Sequence, residues 1–535
     1  MIKFEDVTFG FPQKDLYDSI SFVIEEGEHA VLIGSNGTGK TSLLKLMTDP
    51  DRYTWEGRIE VAPDARIAFV DQFVKHEASE GSVFDYLAEA FEALQQQADQ
   101  VCRQMESGEN MEALCDRYQQ LLDEMEAIDA YDHEVNIKKE LALAGLAGIE
   151  NNSLRQISGG EYKLLSIIRS MLQKPQLLIM DEPDVFLDFE NLVGLTRLIN
   201  GYEGTILVIT HNRLLLNQCF DKILHLENRQ LQTFPGSFTE YQRALLETKI
   251  DMLEHAAKFD EFMDIQRANI ERMRDDATEK ADPRKGRQLK ARVSYLERLK
   301  VMKGSYPFIE EHDCGIVFPV LSEEKEQGGE EEMQPLLSVK EYSLAYDRPL
   351  LSHVSFDIFA GDKIAIVGAN GTGKSSLLRD IGRMLDEQQT EYAFFQQIYD
   401  ADGSAALSGG ERNLQQLQTL CSTDAAILLL DEPGSHLDIY AQAALEKAVA
   451  DYRGTVVMVS HDFYTVTGCA DRILLLENGT LREMSGRAYR KSVYKKYFDS
   501  DIFEQERLAK EKEMRINALI ASRKYREARE LFETL

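Results

Sequence analysis

Two stretches of this chain end a glycine-rich loop with a lysine and a hydroxyl. The first reads Gly34, Ser35, Asn36, Gly37, Thr38, Gly39, Lys40, Thr41. The second reads Gly368, Ala369, Asn370, Gly371, Thr372, Gly373, Lys374, Ser375. Both fit G-x-x-x-x-G-K-[ST]. In such a loop backbone N–H groups curl around an anion, the lysine reaches the terminal phosphates, and the hydroxyl helps to hold Mg2+. Each loop follows a strand-like apolar run (residues 30–33 and 364–367) and opens a helix-like segment at Ser42 or Ser376. That strand–loop–helix context is what separates the motif from a chance string.

The same ordered set of partners follows each loop. Ser158-Gly159-Gly160-Glu161 and Ser408-Gly409-Gly410-Glu411 are one short glycine turn, written twice. Asp181-Glu182 and Asp431-Glu432 each end an apolar run, and His211 and His461 each follow another. Serine, aspartate and histidine all recur at an offset of 250, whereas the two lysines are 334 apart. The chain is therefore an internal duplication whose copies differ in length upstream of the glycine turn.

These residues resemble a tandem ATP-binding-cassette ATPase, and specifically the ABC-F family, over roughly residues 1–237 and 337–490 and the segment between. The fold class expected is α/β: two P-loop ATP-binding-cassette domains joined by a helical hairpin linker, with a helical arm insertion in the first cassette. The expected boundaries are 1–237 for the first cassette, with the arm at about 90–130, and 238–304 for the hairpin. An acidic linker at 305–336, the second cassette at 337–490 and a charged helical extension at 491–535 complete the chain. The resemblance makes the two glycine turns signature turns. It places Gln72 and Gln397 as Q-loop glutamines, and Phe11 and Tyr346 as the aromatics that stack on adenine.

The residue types suit that chemistry. Hydrolysis of ATP needs the triphosphate charge neutralised and a water held in line with the γ-phosphorus. Lys40 and Lys374 supply positive charge, and Thr41 and Ser375 a hydroxyl for Mg2+. Asp181 and Asp431, with Gln72 and Gln397, are the further candidates around the metal. Glu182 and Glu432 are suited to polarise the water, and His211 and His461 to contact the γ-phosphate. An isolated histidine after a strand is more often structural, but a spacing of 30 from the aspartate in both copies reverses those odds. By resemblance the cassettes pair head to tail, so that each nucleotide is shared between one cassette's loop and the other's signature turn. The copies are unequal after the glutamates. Val185 and Phe186 stand where the second copy has Ser435 and His436, and Asn212 stands opposite Asp462. Drift in a tolerant loop and two sites of unequal rate both fit.

Composition bounds the rest. With 535 residues, 43% hydrophobic and 28% charged, the chain can hold two or more domains with full cores. No run approaches the roughly 18–20 apolar residues of a membrane span, and the start of the chain, at Met1, reads as a strand and not a signal peptide. The six cysteines (Cys102, Cys115, Cys219, Cys314, Cys421 and Cys469) show no disulfide or metal spacing, which fits reduced thiols in a cytoplasmic protein. A net charge of −32 argues against a surface that coats nucleic acid, DNA included, without excluding a local basic contact.

Two additions distinguish the chain from a bare ATPase. Helix-forming sequence from Val83 to Met105 and from Met111 to Ile128 fills the first copy between Gln72 and Ser158, whereas only a short stretch separates Gln397 from Ser408. Residues 238–280 are nearly free of glycine and proline and read as one long helix or two in line. Asp282-Pro283 marks a turn, and Leu289, Val293, Leu296 and Leu299 form the stripe of a return helix. The tip and return are basic, and Arg284, Lys285, Arg287 and Lys290 are the residues expected to contact an RNA phosphate backbone. In the family this linker reaches the tRNA-binding region of the ribosome. The expectation is thus a monomeric, cytoplasmic, ATP- and Mg2+-dependent translation factor that binds rRNA and tRNA and no membrane. A ribosome-protection antibiotic-resistance ATPase of the same family and an ATPase subunit of a membrane transporter are the competing readings.

Overall fold

The structure is a computed structural model. It describes residues 1–12, 14–62, 65–72, 81–106, 110–280, 290, 292–294, 308, 314–319, 334–346, 349–396, 409–423, 425–497 and 500–534. These residues fall into two compact units. One comprises 1–238 and 312–497, the other 239–311 and 498–535.

The first unit holds both copies. In the first copy, β1 (Ile2–Phe11), β2 (Lys14–Ile24), β3 (His29–Ile33) and helix α1 (Lys40–Thr48) lead to β4 (Glu56–Val61) and β5 (Ile67–Val70). Four helices follow: α2 (Val83–Met105), α3 (Met111–Ala127), α4 (His133–Leu143) and α5 (Gly159–Leu172). The copy closes with β6 (Leu177–Asp181), α6 (Phe189–Gly201), β7 (Thr205–Ile209), α7 (Arg213–Gln218), β8 (Lys222–Glu227) and β9 (Gln230–Pro235).

The central sheet is ordered β5-β6-β7-β3-β8-β9, parallel except for the β9 edge. Every residue of β6 and β7 is buried, as helices on both faces of a parallel sheet require. The crossover order sets the carboxyl ends of β6, β7 and β3 side by side. That edge is where open α/β sheets bind ligands. A separate antiparallel sheet, β2-β1-β4, buries Phe4, Val7 and Tyr17 against the α1 side of the core.

The second copy repeats this plan. β10 (Leu337–Ala345) and β11 (Pro349–Ile358) pair with each other. β12 (Lys363–Gly368), β13 (Tyr392–Phe395), β14 (Ile427–Asp431), β15 (Thr455–Val459), β16 (Arg472–Glu477) and β17 (Thr480–Ser485) form a sheet ordered β13-β14-β15-β12-β16-β17. The α8 helix (Phe238–Lys280) precedes this copy in the chain, and α9 (Lys374–Glu387), α10 (Gly409–Leu420), α11 (Ile439–Asp451), α12 (Phe463–Cys469) and α13 (Gly486–Tyr497) belong to it or follow it.

Two kinds of contact adjoin where the copies meet. The Arg213 guanidinium donates to both carboxylate oxygens of Glu446 and stacks over the Tyr464 ring at 5.4 Å. Beside it, Phe463 packs with Tyr464 and with Phe189 of the first copy, and Glu190 accepts from Lys496 and Tyr497 at 2.8 Å each. A mostly buried charge pair and aromatic area thus share this part of the interface.

In the second unit, α8 is 43 residues long, about 65 Å at 1.5 Å per residue. Its Leu246 and Ile250 are buried against Ile516, Ile520, Ala528 and Phe532 of α14 (Ser500–Ala521) and α15 (Tyr525–Phe532). Arg529 pairs with Asp251 and, at 3.1 Å, with Glu254. The C-terminal stretch read from sequence as surface helices is thus packed on the long helix. Arg292 on the return side donates to Gln266 of α8 at 3.2 and 2.8 Å. The rest of the expected hairpin tip, with Arg284, Lys285 and Arg287, lies outside the described residues. So do most of the return helix and most of the acidic 305–336 segment.

Gly194 in α6 lies against the end of α4, where an added Cβ would overlap the Ala144 carbonyl oxygen. Helix propensity favours alanine over glycine by about 1 kcal/mol. The close approach reverses the sign, so Gly194→Ala is expected to destabilise the first cassette by about 1–3 kcal/mol. A thermal melt checks this, with a lowered midpoint expected.

Candidate active sites at the cassette interface

Each glycine-rich loop springs from the end of a buried strand and turns into a helix through a left-handed glycine, Gly39 at φ 98° and Gly373 at φ 94°. L side chains disfavour that backbone. The lysines are folded onto their own loops. Lys40 Nζ donates to the Gly34 and Ser35 carbonyls at 2.8 Å each, and Lys374 Nζ to those of Gly368 and Ala369 at 2.9 and 2.8 Å. Burial holds both ammonium groups below their ordinary pKa, offset by nearby carboxylates. Thr38 and Thr372 donate back to Ser35 and Ala369 and brace the loops. In the first loop Ser35 also donates through both its N–H and its hydroxyl to Glu227. Ala369 has no hydroxyl to do so.

The acidic pairs stand at the neighbouring strand ends. Asp181 accepts from Thr41, and Asp431 accepts from the Ser375 hydroxyl at 2.8 Å. Burial and the adjacent Glu182 push Asp181 up to about 6, and burial likewise raises Asp431. Each site thus offers a hydroxyl and a carboxylate oxygen side by side, a hard-oxygen set that fits Mg2+. Glu182 and Glu432 follow with left-handed backbones, φ 45° and 50°. For a non-glycine residue that strain costs roughly 1–3 kcal/mol, and the surrounding structure must hold it. The turn does so in part, with Val185 N–H donating to the Glu182 carbonyl and Ser435 N–H to that of Glu432.

Gln72 reaches Glu182, its amide nitrogen 2.5 Å from Oε2. Buried Lys163, which sequence reasoning passed over, pins that loop by donating to the Asp71 and Gln72 carbonyls at 2.6 and 2.8 Å. Its counterpart in the second copy is Asn413, which donates to the Ser435 carbonyl at 2.8 Å. His211 is buried, and neither ring nitrogen finds a hydrogen-bond partner among the described residues. Burial pushes it down to about 4, and His461 to about 3, so both imidazoles are neutral at pH 7. Two unpartnered polar atoms facing the cavity are what a ring awaiting a ligand looks like. Glu432 is driven by burial up to about 8, against the pull of Lys374. For Glu182 burial acts in the same sense, but contact with His436 and the charge of Lys40 leave it below the ordinary range.

The copies face each other head to tail. Asn36 of the first loop donates from its backbone to Asp438 at 2.8 Å and from its side chain to the His436 carbonyl at 3.0 Å. Asn370 does the same to Asp188 at 2.9 Å and to the Phe186 carbonyl at 2.9 Å. Gly410 lies so close to Asn36 that an added Cβ would clash with its side chain, whereas a Cβ at Gly160 would meet the Asn370 side chain at 3.4 Å and clash with Asn191 of its own cassette. The glycine turns are also helix starts: Ser158 and Glu161 form a reciprocal capping box at α5. A cavity of about 640 Å³ opens between Gly159, Gly160, Lys374, Ser375, Glu432 and His461, large enough for a nucleotide.

Most of the expected residues therefore converge on two interfacial sites, with Gly34, Gly37, Ser42, Gly368, Gly371 and Ser376 in or beside the loops and Gly409 opening α10. Gln397 and Ser408 lie outside the described residues. Phe11 and Tyr346 are exposed, as an aromatic that awaits a flat ligand would be, and the Tyr346 hydroxyl is 3.2 Å from that of Ser376. Lys290 is exposed and belongs to the helical unit. From sequence, Asp188, Asp438 and His436 read only as part of the stretch after each acidic pair that resembles the family's Walker B and D-loop region, with no individual role. The signal for the aspartates was present, since both follow the strand-end aspartate at one offset.

Asp188 and Asp438 each cap a helix and hold the opposite loop. Replacing either by alanine is expected to cost about 1 kcal/mol as a lost cap, with a larger fall in ATP turnover than in melting temperature. The pH response follows from the histidines. A folded pKa below the unfolded value means that the unfolded chain binds more protons between the two. Stability is therefore expected to fall as pH drops from about 6.5 toward about 4. His211→Asn should flatten part of that slope in melts of the nucleotide-free protein.

Comparison with known proteins agrees with this geometry. A family model described as ABC transporter matches residues 17–185 and 351–402. The chain is 25% identical to the uncharacterized ABC transporter ATP-binding protein YfmM of Bacillus subtilis, across 87% of this chain and 96% of that one. It is 25% identical to ABC transporter F family member 5 of Arabidopsis thaliana, across 91% and 76%. In fold it is similar to the solved archaeal ribosome recycling factor aABCE1, with a TM-score of 0.51 and 17% identity over 92% of each chain. The chain thus carries the ATP-binding-cassette ATPase fold twice, and the relatives it is similar to nearly end to end include ABC-F proteins.

Proposed function

We propose that this ATPase is a ribosome-binding translation factor. It closes on ATP, binds in that form, and leaves once ATP is hydrolysed. The observation that carries the reading is the helical unit. The cassettes already have each other as partners, and the chain adds to them a helix of about 65 Å braced by its own C-terminal helices. A bare ATPase has no use for such a unit, whereas a factor that must reach into a large RNA assembly has. The basic run that contains Arg284, Lys285, Arg287 and Lys290 supports contact with tRNA or rRNA near the peptidyl-transferase centre, by charge and shape. Among the described residues no helix is long and apolar enough to cross a membrane.

In each site the loop amides and the lysine would grip the triphosphate, and the opposite cassette's glycine turn would close over it. Mg2+ would be held by Thr41 or Ser375 with Asp181 or Asp431 beyond, and it would neutralise charge on the phosphates. Gln72 and Gln397 would serve the same metal. Glu182 and Glu432 would orient the water, and the neutral rings of His211 and His461 would donate toward the γ-phosphate. ATP would thus act as the glue between halves, and its hydrolysis as the release.

The test is the Glu182→Gln/Glu432→Gln double variant, spun through sucrose with ribosomes and ATP. ATP-dependent co-sedimentation is expected, with the wild-type chain found mostly at the top of the gradient. A double variant that closes on ATP yet stays at the top would sink the ribosome reading.

A further inference from the structure

The two glutamates are not treated alike by the opposite cassette, and the difference rests on one residue. His436 belongs to the second cassette, yet both ends of it engage the first. Its carbonyl accepts from the Asn36 side chain at 3.0 Å. Its ring nitrogen Nδ1 lies 3.3 Å from the Gln72 amide nitrogen and 3.5 Å from Glu182 Oε2. Gln72 and Glu182 are themselves in contact at 2.5 Å, so the ring closes a three-residue cluster around the Glu182 carboxylate. The ring is mostly buried, with 10% of its side chain exposed, so few other rotamers are open to it.

The duplicated position is Phe186. Its backbone keeps half of the arrangement, because its carbonyl accepts from the Asn370 side chain at 2.9 Å. Its ring stands edge-to-face with that of His436, centroids 6.0 Å apart, and has no polar atom to offer. Glu432 has a buried Oε1 that makes no hydrogen bond among the described residues and lies 3.3 Å from Nε2 of its own cassette's His461. Its other oxygen accepts from the backbone of His461, in its own cassette. Closure of the interface is therefore registered by the backbone at both sites. Among the described residues, a polar side chain from across the interface reaches the water-polarising carboxylate at only one of them.

We infer that His436 is a positioning residue supplied in trans to the site of Lys40, Glu182 and His211. That site is the fast one, and the site of Lys374, Glu432 and His461, faced by Phe186, is the slow one. The slow site would keep its ATP through several turnovers of the fast site and hold the cassettes paired meanwhile. The inference rests on Glu182 and Glu432 as the water-polarising groups. It is read from ATP turnover of the free chain without ribosomes, so it stands or falls apart from the translation role.

Glu432→Gln leaves only the first site active, and Glu182→Gln only the second. The expected result is that Glu432→Gln keeps most of the wild-type turnover, while Glu182→Gln loses about tenfold or more. In the Glu432→Gln chain, His436→Ala should lower kcat about tenfold and change KM for ATP less than twofold. His436→Gln, which keeps a polar group within reach, should restore part of the rate. In the Glu182→Gln chain, Phe186→His should raise kcat, a gain that a damaged fold cannot mimic. Equal turnover in the two single variants overturns the inference. So does an unchanged kcat for His436→Ala in the Glu432→Gln chain. A double Glu→Gln chain that hydrolyses ATP at the wild-type rate overturns the assignment of the glutamates, and the role of His436 with it.

Discussion

Two carboxylates, Asp188 and Asp438, hold the active arrangement together, because each serves two masters. One oxygen of each accepts from a backbone N–H in the first turn of its own helix, that of Asn191 or Ala441. The other accepts from the backbone of the opposite loop, at Asn370 or Asn36. A helix N-terminus favours negative charge, which suits two carboxylates that are nearly buried. The cap fixes where the carboxylate points, and the carboxylate fixes where the opposing loop lies. Loop position decides how far each signature glycine is from the lysine across the interface. Geometry at the sites thus descends from a capping interaction that any helix would tolerate as merely local.

On this shared frame the copies have diverged in ways that do not disturb pairing. Lys163 braces the Gln72 loop where the second copy has Asn413, and Ser35 is tied to Glu227 where Ala369 has no hydroxyl. Where the copies meet, a charge pair at Arg213 and Glu446 adjoins an aromatic cluster around Phe463. Removing one partner of a mostly buried ion pair is costly, because the other is left uncompensated.

The helical unit follows a different logic. A long helix with little apolar surface of its own is unstable in water unless something covers its one greasy stripe. The chain's own end supplies that cover, through Ile516, Ile520, Ala528 and Phe532 on Leu246 and Ile250. Arg529 adds contacts to Asp251 and Glu254, and Arg243 lies over the Phe532 ring at 5.4 Å. The base of the long helix is thereby stiffened by residues more than 250 positions away in sequence.

Much of the protein was legible beforehand for a physical reason. Phosphate chemistry demands a few residue types at short, rigid spacings, and a parallel sheet demands continuous apolar runs, so the loops, the strand-end Asp-Glu pairs and the α/β class could be read directly. The long helix was legible because 43 residues without a breaker have few alternatives. What tertiary structure alone decided is whatever depends on residues far apart in the chain. Nothing near Asp438 in sequence announces that it holds Asn36, 402 positions away. Nothing near His436 announces Glu182, and nothing in the alternating charges of residues 500–535 announces their docking on α8. Local pattern encodes which groups are present and how each is presented. Only the closing of one cassette on the other decides which groups meet, because that pairing is a property of two surfaces and of no single segment.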